Sequence, residues 1–140
     1  MSEHNQSVHQ WLNLPATMAQ VRDVFARYEA ALLAHDVAAI NKFFLDSAVT
    51  VRLGIEEHGY GIDAICAYRR RAQPVAANRR LQHTTISTIG AAAASVTTEF
   101  VVPGAAVIGR QTQTWALTAE GWKIVAAHVS EVSQALLRRD

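Results

Sequence analysis

Six side chains have the types and settings for chemistry on a small polar molecule: Tyr28, Arg52, Arg69, Gln113, His128 and Ser130. Arg52 stands between Val51 and Leu53 in a short strand-like run, so it faces opposite to both. Its planar guanidinium can hold a carboxylate or carbamate through two parallel hydrogen bonds, or it can pair with Glu56 or Glu57. Tyr28 falls on the apolar stripe of a helix. A phenol there either turns its hydroxyl into a cavity, as hydrogen-bond donor or general acid, or caps a backbone carbonyl in a solid core. A nearby Arg52 favours the phenolate and predicts a lowered tyrosine pKa.

The remaining candidates lie mostly on one hairpin, Gly109–Ser130. Gln111, Gln113 and Trp115 alternate with Arg110, Thr112 and Thr114. After the Gly121 break, Trp122, Ile124, Ala126, His128 and Ser130 alternate with Lys123, Val125, Ala127 and Val129. Polar groups on otherwise apolar faces argue for a wet face or a lined cavity, since an unpaired buried polar group costs about 1–3 kcal/mol. The alternation places His128 and Ser130 in a pocket wall, as binding or orienting groups. Ser130 lacks a nucleophile motif. Gln113 can bind a urea-type carbonyl or amide, or bond across the sheet. Trp115 and Trp122 read as core walls, and Arg110 alternates away from the glutamines. Arg69 offers a second positive group, although the run Arg69-Arg70-Arg71 also reads as a solvated face.

The elements that must position these groups are legible in order. Pro15 opens a helix expected over 15–35, with Met18, Val21, Phe25, Tyr28 and Leu32 inward. Asp36 caps a short helix, Val37–Phe44, with Ile40, Phe43 and Phe44 inward. Strands are expected over 50–53 and 56–58, then a Gly59-Tyr60-Gly61 turn and a third helix over 62–71. A loop follows to Arg79, then strands at Leu81–Ile89 and Ala94–Val102 and the hairpin. Helices grouped first and a four-stranded antiparallel meander after them indicate α+β: three N-terminal helices over a curved, mainly antiparallel sheet with an internal pocket. The expected division is a polar lead-in over 1–13, one domain over 14–131 and a tail over 132–140.

Bulk properties exclude several classes. Net charge is +1, and the arginine clusters lack interleaved aromatics, so no nucleic-acid partner is expected. No apolar run approaches a bilayer span, and the first residues do not read as a signal peptide, so no membrane partner and a cytoplasmic location are expected. The one cysteine, Cys66, reads as buried and inert and excludes an internal disulfide. The six histidines show no metal-ligand spacing and there is no phosphate-binding glycine motif, so neither metal nor cofactor is expected.

The ordered set Phe25–Leu32, Arg52-Leu53-Gly54, Tyr68-Arg69, Gly109–Trp115 and Gly121–Ser130 resembles the AtzH-like family, which includes the oxalurate catabolism proteins called HpxZ, within the SnoaL-like, NTF2-like superfamily of cone folds. The resemblance runs from about Leu14 to Ser130. It implies metabolism of small nitrogenous compounds beside an amidase. It also implies hydrolysis of a carboxylated urea such as 1,3-dicarboxyurea, with Tyr28 and Arg52 as the functional pair. A non-catalytic member that binds a small acid or supports a partner amidase is the alternative, because one fold hosts both roles. A homodimer through the outer sheet face is expected, hinted at by Val101, Val102, Val107 and Ile108.

Overall fold

A computed structural model describes residues 10–137. Their elements run α1 (Pro15–Leu33), α2 (Val37–Lys42), β1 (Val51–Leu53), β2 (His58–Tyr60), α3 (Ile62–Arg71), β3 (Arg80–Ile89), β4 (Ala93–Val101), β5 (Val107–Thr118) and β6 (Gly121–Ser133), closed by a 3-10 turn at Gln134–Leu136. The strands form one unclosed, mixed sheet in the order β2-β1-β6-β5-β4-β3. β3 to β6 are the expected antiparallel meander, whereas β1 runs parallel to β6. The fold is the α+β cone, with helices over the curved sheet.

Local chemistry explains most boundaries. Pro15 occupies the first turn of α1, where its missing N–H is harmless. Val21, Val24, Phe25, Tyr28 and Leu32 are its buried stripe. The helix stops two residues short of the expected 35, because His35 takes a left-handed φ of 51°. Asp36 caps α2 by accepting from the Ala39 N–H at 3.1 Å. That helix ends at Lys42, and the next residues pair with Ile124 instead, the Ile124 N–H donating to the Phe43 carbonyl at 2.7 Å and the Leu45 N–H to the Ile124 carbonyl at 2.9 Å.

Strand β2 lies two residues later than expected. The Gly54 N–H donates to the Glu57 carbonyl at 2.9 Å, which closes a turn over 54–57 and makes Leu53 opposite His58 the first pair. Gly59 is therefore a strand residue rather than part of a turn. The predicted lead-in falls partly on residues 1–9, outside the described residues. Of its remainder, Asn13 is tied to β3: its N–H donates to the Thr88 carbonyl at 3.0 Å and its Oδ1 accepts from the Thr88 N–H at 2.8 Å. At the other end, β6 continues to Ser133 instead of stopping near Ser130.

One departure from regular pairing decides what faces inward on β6. Trp115 pairs with Ile124, but Thr114 pairs with Ala126, so Val125 is an extra residue in the ladder. A one-residue bulge reverses which side chains point to which face. Trp122 and Ile124 point inward before it, and Ala127 is buried after it.

The core lies between α1, α2 and the inner sheet face. Trp115 is fully buried, and Tyr28 meets it edge-on with ring centroids 6.2 Å apart. Phe43 stands 5.6 Å from Tyr28 in the same edge-to-face geometry. Trp122 buries its ring while its indole N–H donates to Gln20 Oε1 at 3.0 Å. Replacing Trp115 with alanine is expected to cost about 3–5 kcal/mol, read as a lowered urea midpoint with an unchanged slope.

Candidate active site

Beyond the aromatic cluster the core gives way to a cavity of about 260 Å³. Sheet register builds one wall. Arg52 pairs with Ala127, Ala127 with Gln113, and Gln113 with Val96, so these four share one row across the inner face. Gln111, opposite Val129 and Thr98, lies in the next row of that face. Tyr28 enters from α1, and Tyr68 and Arg69 from α3. Arg79, at the end of the loop before β3, completes the polar lining with Glu131. Two larger hollows, about 590 and 640 Å³, are more open and contain none of the predicted site residues.

Four of the six predicted residues, Tyr28, Arg52, Arg69 and Gln113, line this single cavity. Arg52 meets both sequence readings at once: it lines the cavity and its Nη1 donates to Glu57 Oε1. That contact depends on Gly54, where a Cβ would overlap the Glu57 carboxylate. Arg69 is only 5% exposed, whereas Arg70 and Arg71 are exposed. It stands four residues after buried Ile65, on the same helix face. Burial pushes its pKa below the usual arginine range; the Tyr28 phenol opposes this, and Arg52 adds to it. Arginine remains a cation under these conditions. Among the described residues no carboxylate lies within ion-pair distance of Arg69. The Tyr68 ring lies 5.3 Å from its Cζ and 4.7 Å from that of Arg52, giving both cations an aromatic face.

Arg79 is held more completely. Its Nε and Nη2 donate to Glu29 at 2.9 and 3.1 Å, in the two-pronged geometry of strong arginine–carboxylate pairs. Its Cζ lies 4.2 Å from the Phe100 ring centroid. Gly109 is the seat for that ring, since a Cβ there would overlap it. Nη2 also donates to Gln111 Oε1 at 3.3 Å, which sets the orientation of that amide. Gln111 Nε2 is buried with no acceptor among the described residues. Gln113 is oriented from the other side, with Oε1 accepting from the Trp115 indole at 3.1 Å.

The expected lowering of the Tyr28 pKa is reversed. Burial raises it above the usual phenol value and outweighs the opposing fields of Arg69, Arg52 and Arg79, in that order. The group is a neutral donor rather than a phenolate. The cavity thus joins guanidinium, amide and phenol donors, an arrangement suited to a small anion rich in oxygen acceptors.

His128 and Ser130 are corrections: they do not line this cavity. The Val125 bulge turns them to the outer sheet face, where His128 is exposed and Ser130 accepts from Arg110 Nε at 3.2 Å. Ala127, Val129 and Glu131 line the cavity in their place. Arg79 and Tyr68 are lining residues that sequence reasoning did not select. Loop position hides the first, and the second stands in the sequence as a residue of the third helix and of the Tyr68-Arg69 motif, without a role of its own. Gln111 carried a signal, because it shares the polar inner alternation of Gln113. Cys66 is half-buried rather than buried; burial nonetheless raises its thiol pKa, which keeps it from being a reactive thiolate. Among the described residues no cluster of His, Cys, Asp and Glu is placed to hold a metal, and no helix is long and apolar enough to cross a membrane.

The architecture has close counterparts. An NTF2-like protein from Pseudomonas putida KT2440 superposes with a TM-score of 0.70 over 84% of this chain and 87% of its own, at 16% identity. Helices packed over a curved sheet around a lined cavity are the fold this chain shares with such NTF2-like proteins. The chain belongs to the AtzH-like family, which it matches over residues 10–135. A cystatin-like fold protein from Burkholderia xenovorans LB400 is 45% identical, with a TM-score of 0.85 over 88% of this chain and 97% of its own. A protein with unknown function from Pectobacterium atrosepticum SCRI1043 is 43% identical, with a TM-score of 0.85 over 89% of this chain and 97% of its own. No curated protein matches the chain.

The raised Tyr28 pKa has a definite sign. Below the unfolded phenol pKa of about 10 both states are protonated and Tyr28 adds no pH dependence; above it the unfolded phenol ionises first and stability falls until the folded phenol also ionises. The 295-nm titration of wild type minus Tyr28→Phe should show its tyrosinate step above pH ~10. A step below that value would mean that the three arginines outweigh burial.

Proposed function

We propose that this protein is a cofactor-free hydrolase of a small carboxylated urea or amide, of the kind represented by 1,3-dicarboxyurea, working in nitrogen-compound catabolism in the cytoplasm. One observation carries the reading: Tyr28, Arg52, Arg69 and Gln113 line a single cavity in which Arg69 has no carboxylate partner among the described residues. The AtzH-like membership supports the substrate class.

The reaction follows from charge. A carbamate end, R–NH–CO₂⁻, seats against Arg69 and Arg52, as planar oxyanions seat on guanidinium forks. Neutral Tyr28 donates to the oxygen on which charge builds as the C–N bond breaks. Water supplies the hydroxyl to the carbon and its remaining proton to the nitrogen, leaving R–NH₂ and bicarbonate. Gln113 Nε2 is an amide donor for the urea carbonyl. The binding or orienting role that the sequence reading gave His128 is dropped, because that residue lies on the other face.

A second reading, a binding or amidase-supporting module of the same fold, has its own observation. Among the described lining residues no serine, cysteine, threonine or histidine occurs, and Glu131 is the sole carboxylate. A functional link to a partner amidase belongs to both readings. So does a homodimer through the outer sheet face: of the residues that hint at it, Val107 is exposed, Val101 and Val102 are half-buried and Ile108 is buried.

Release of CO₂ from an N-carboxylated urea generated in situ by an amidase separates the readings. Tyr28→Phe and Arg52→Ala are each expected to slow it about 100-fold or more, the usual effect of removing one preorganised donor. His128→Ala should leave the rate unchanged. Equal rates in all four proteins, or no turnover by wild type, would remove the hydrolase. Light scattering should return twice the chain mass; a stable monomer ends the dimer proposal.

A further inference from the structure

We infer that Gln111 is a specificity-determining residue of this cavity, donating through Nε2 to an uncharged carbonyl oxygen of the ligand, and that Glu29 and Arg79 are positioning residues that hold its amide the right way round. Three atoms among the described residues are buried without a hydrogen-bond partner: Asn41 Oδ1, Thr88 Oγ1 and Gln111 Nε2. Of their residues, Gln111 lines the cavity and the other two do not. The amide cannot relieve its lone donor by flipping, because Oε1 is engaged by Arg79 Nη2. Arg79 in turn is fixed by two bonds to Glu29 and by the Phe100 ring. A chain of contacts from α1 through the loop to β5 thus holds one unsatisfied N–H group on a residue that lines the hollow. A buried site with an unpaired donor discriminates strongly for a ligand that supplies the acceptor. With Arg69 taking the carboxylate, the selected ligand carries a carbonyl in addition to its anionic end, as ureido acids do and simple fatty acids do not.

The inference rests on the proposed substrate class only for the shape of the ligand, and its test needs no turnover. Isothermal titration with hydantoate, which has a carboxylate and a urea carbonyl, is compared with butyrate, which has the carboxylate alone. Wild type is expected to prefer hydantoate tenfold or more. Gln111→Leu, and Gln111→Met should the first variant fail to fold, are expected to lose at least tenfold for hydantoate with butyrate nearly unchanged. Glu29→Gln should reduce the same ratio by freeing Arg79. A wild-type protein with no preference, or folded Gln111 variants that keep it, would overturn the inference. Preference without hydrolysis removes the reaction and leaves this assignment; hydrolysis whose KM is unaffected by Gln111→Met removes this assignment and leaves the reaction.

Discussion

A guanidinium taken out of water without a counter-charge costs several kcal/mol, and Arg69 is held in that condition. The neighbouring cations are compensated, Arg52 by Glu57 and Arg79 by Glu29. What keeps Arg69 tolerable is the Tyr68 ring and the cavity itself, which leaves the charge open to a mobile anion. The same field acts on Tyr28, yet desolvation dominates and the phenol stays neutral. One cation without an ion-pair partner and one neutral phenol are therefore set in the same small volume. Filling the cavity with side chains would strand the cation, so the hollow and the charge require each other.

The cationic groups are positioned by rigid elements rather than loose loops, with one exception. Arg52 lies on β1, fixed by parallel pairing to β6, and Arg69 on α3. Arg79 is the exception, since it ends a loop, and it is the group with the most holding contacts: Glu29, Gln111 and Phe100. Two glycines make these supports possible by close approach. Gly54 gives room to the Glu57 carboxylate and Gly109 to the Phe100 ring. Geometric precision at a site demands this kind of backing, because a side chain on a flexible segment is otherwise spread over many rotamers. The polar network on the inner sheet face continues the pattern, with Trp115 orienting Gln113 and Arg79 orienting Gln111.

Much of the architecture could be read from local patterns because local physics dictates it. Pro15 and Asp36 start helices by mechanisms confined to one turn, and period-two alternation marks β3 to β6 wherever one face is buried. Tyr28 was legible as cavity-facing only through the family resemblance, since a core tyrosine produces the same stripe. Arg69 was hidden inside a run of three arginines whose other members are exposed. Helical spacing from Ile65 was the available clue, and it becomes decisive only when the packed face is known.

By itself, the sequence determined the element types, their order, the α+β class, the AtzH-like kinship and the residue types available for anion recognition. Tertiary structure alone decided which of those residues meet. A single extra residue, Val125, moved His128 and Ser130 to the outside and brought Val129 and Glu131 to the cavity. Alternation in sequence carries no record of a bulge, because the inserted residue is identified by its missing partner on the neighbouring strand. Long-range pairing likewise joined Arg79 to Glu29, fifty positions away. Whether Arg69 is a solvated surface charge or a buried, unpaired one depends on what the rest of the chain packs around it, and that is a property of the folded volume.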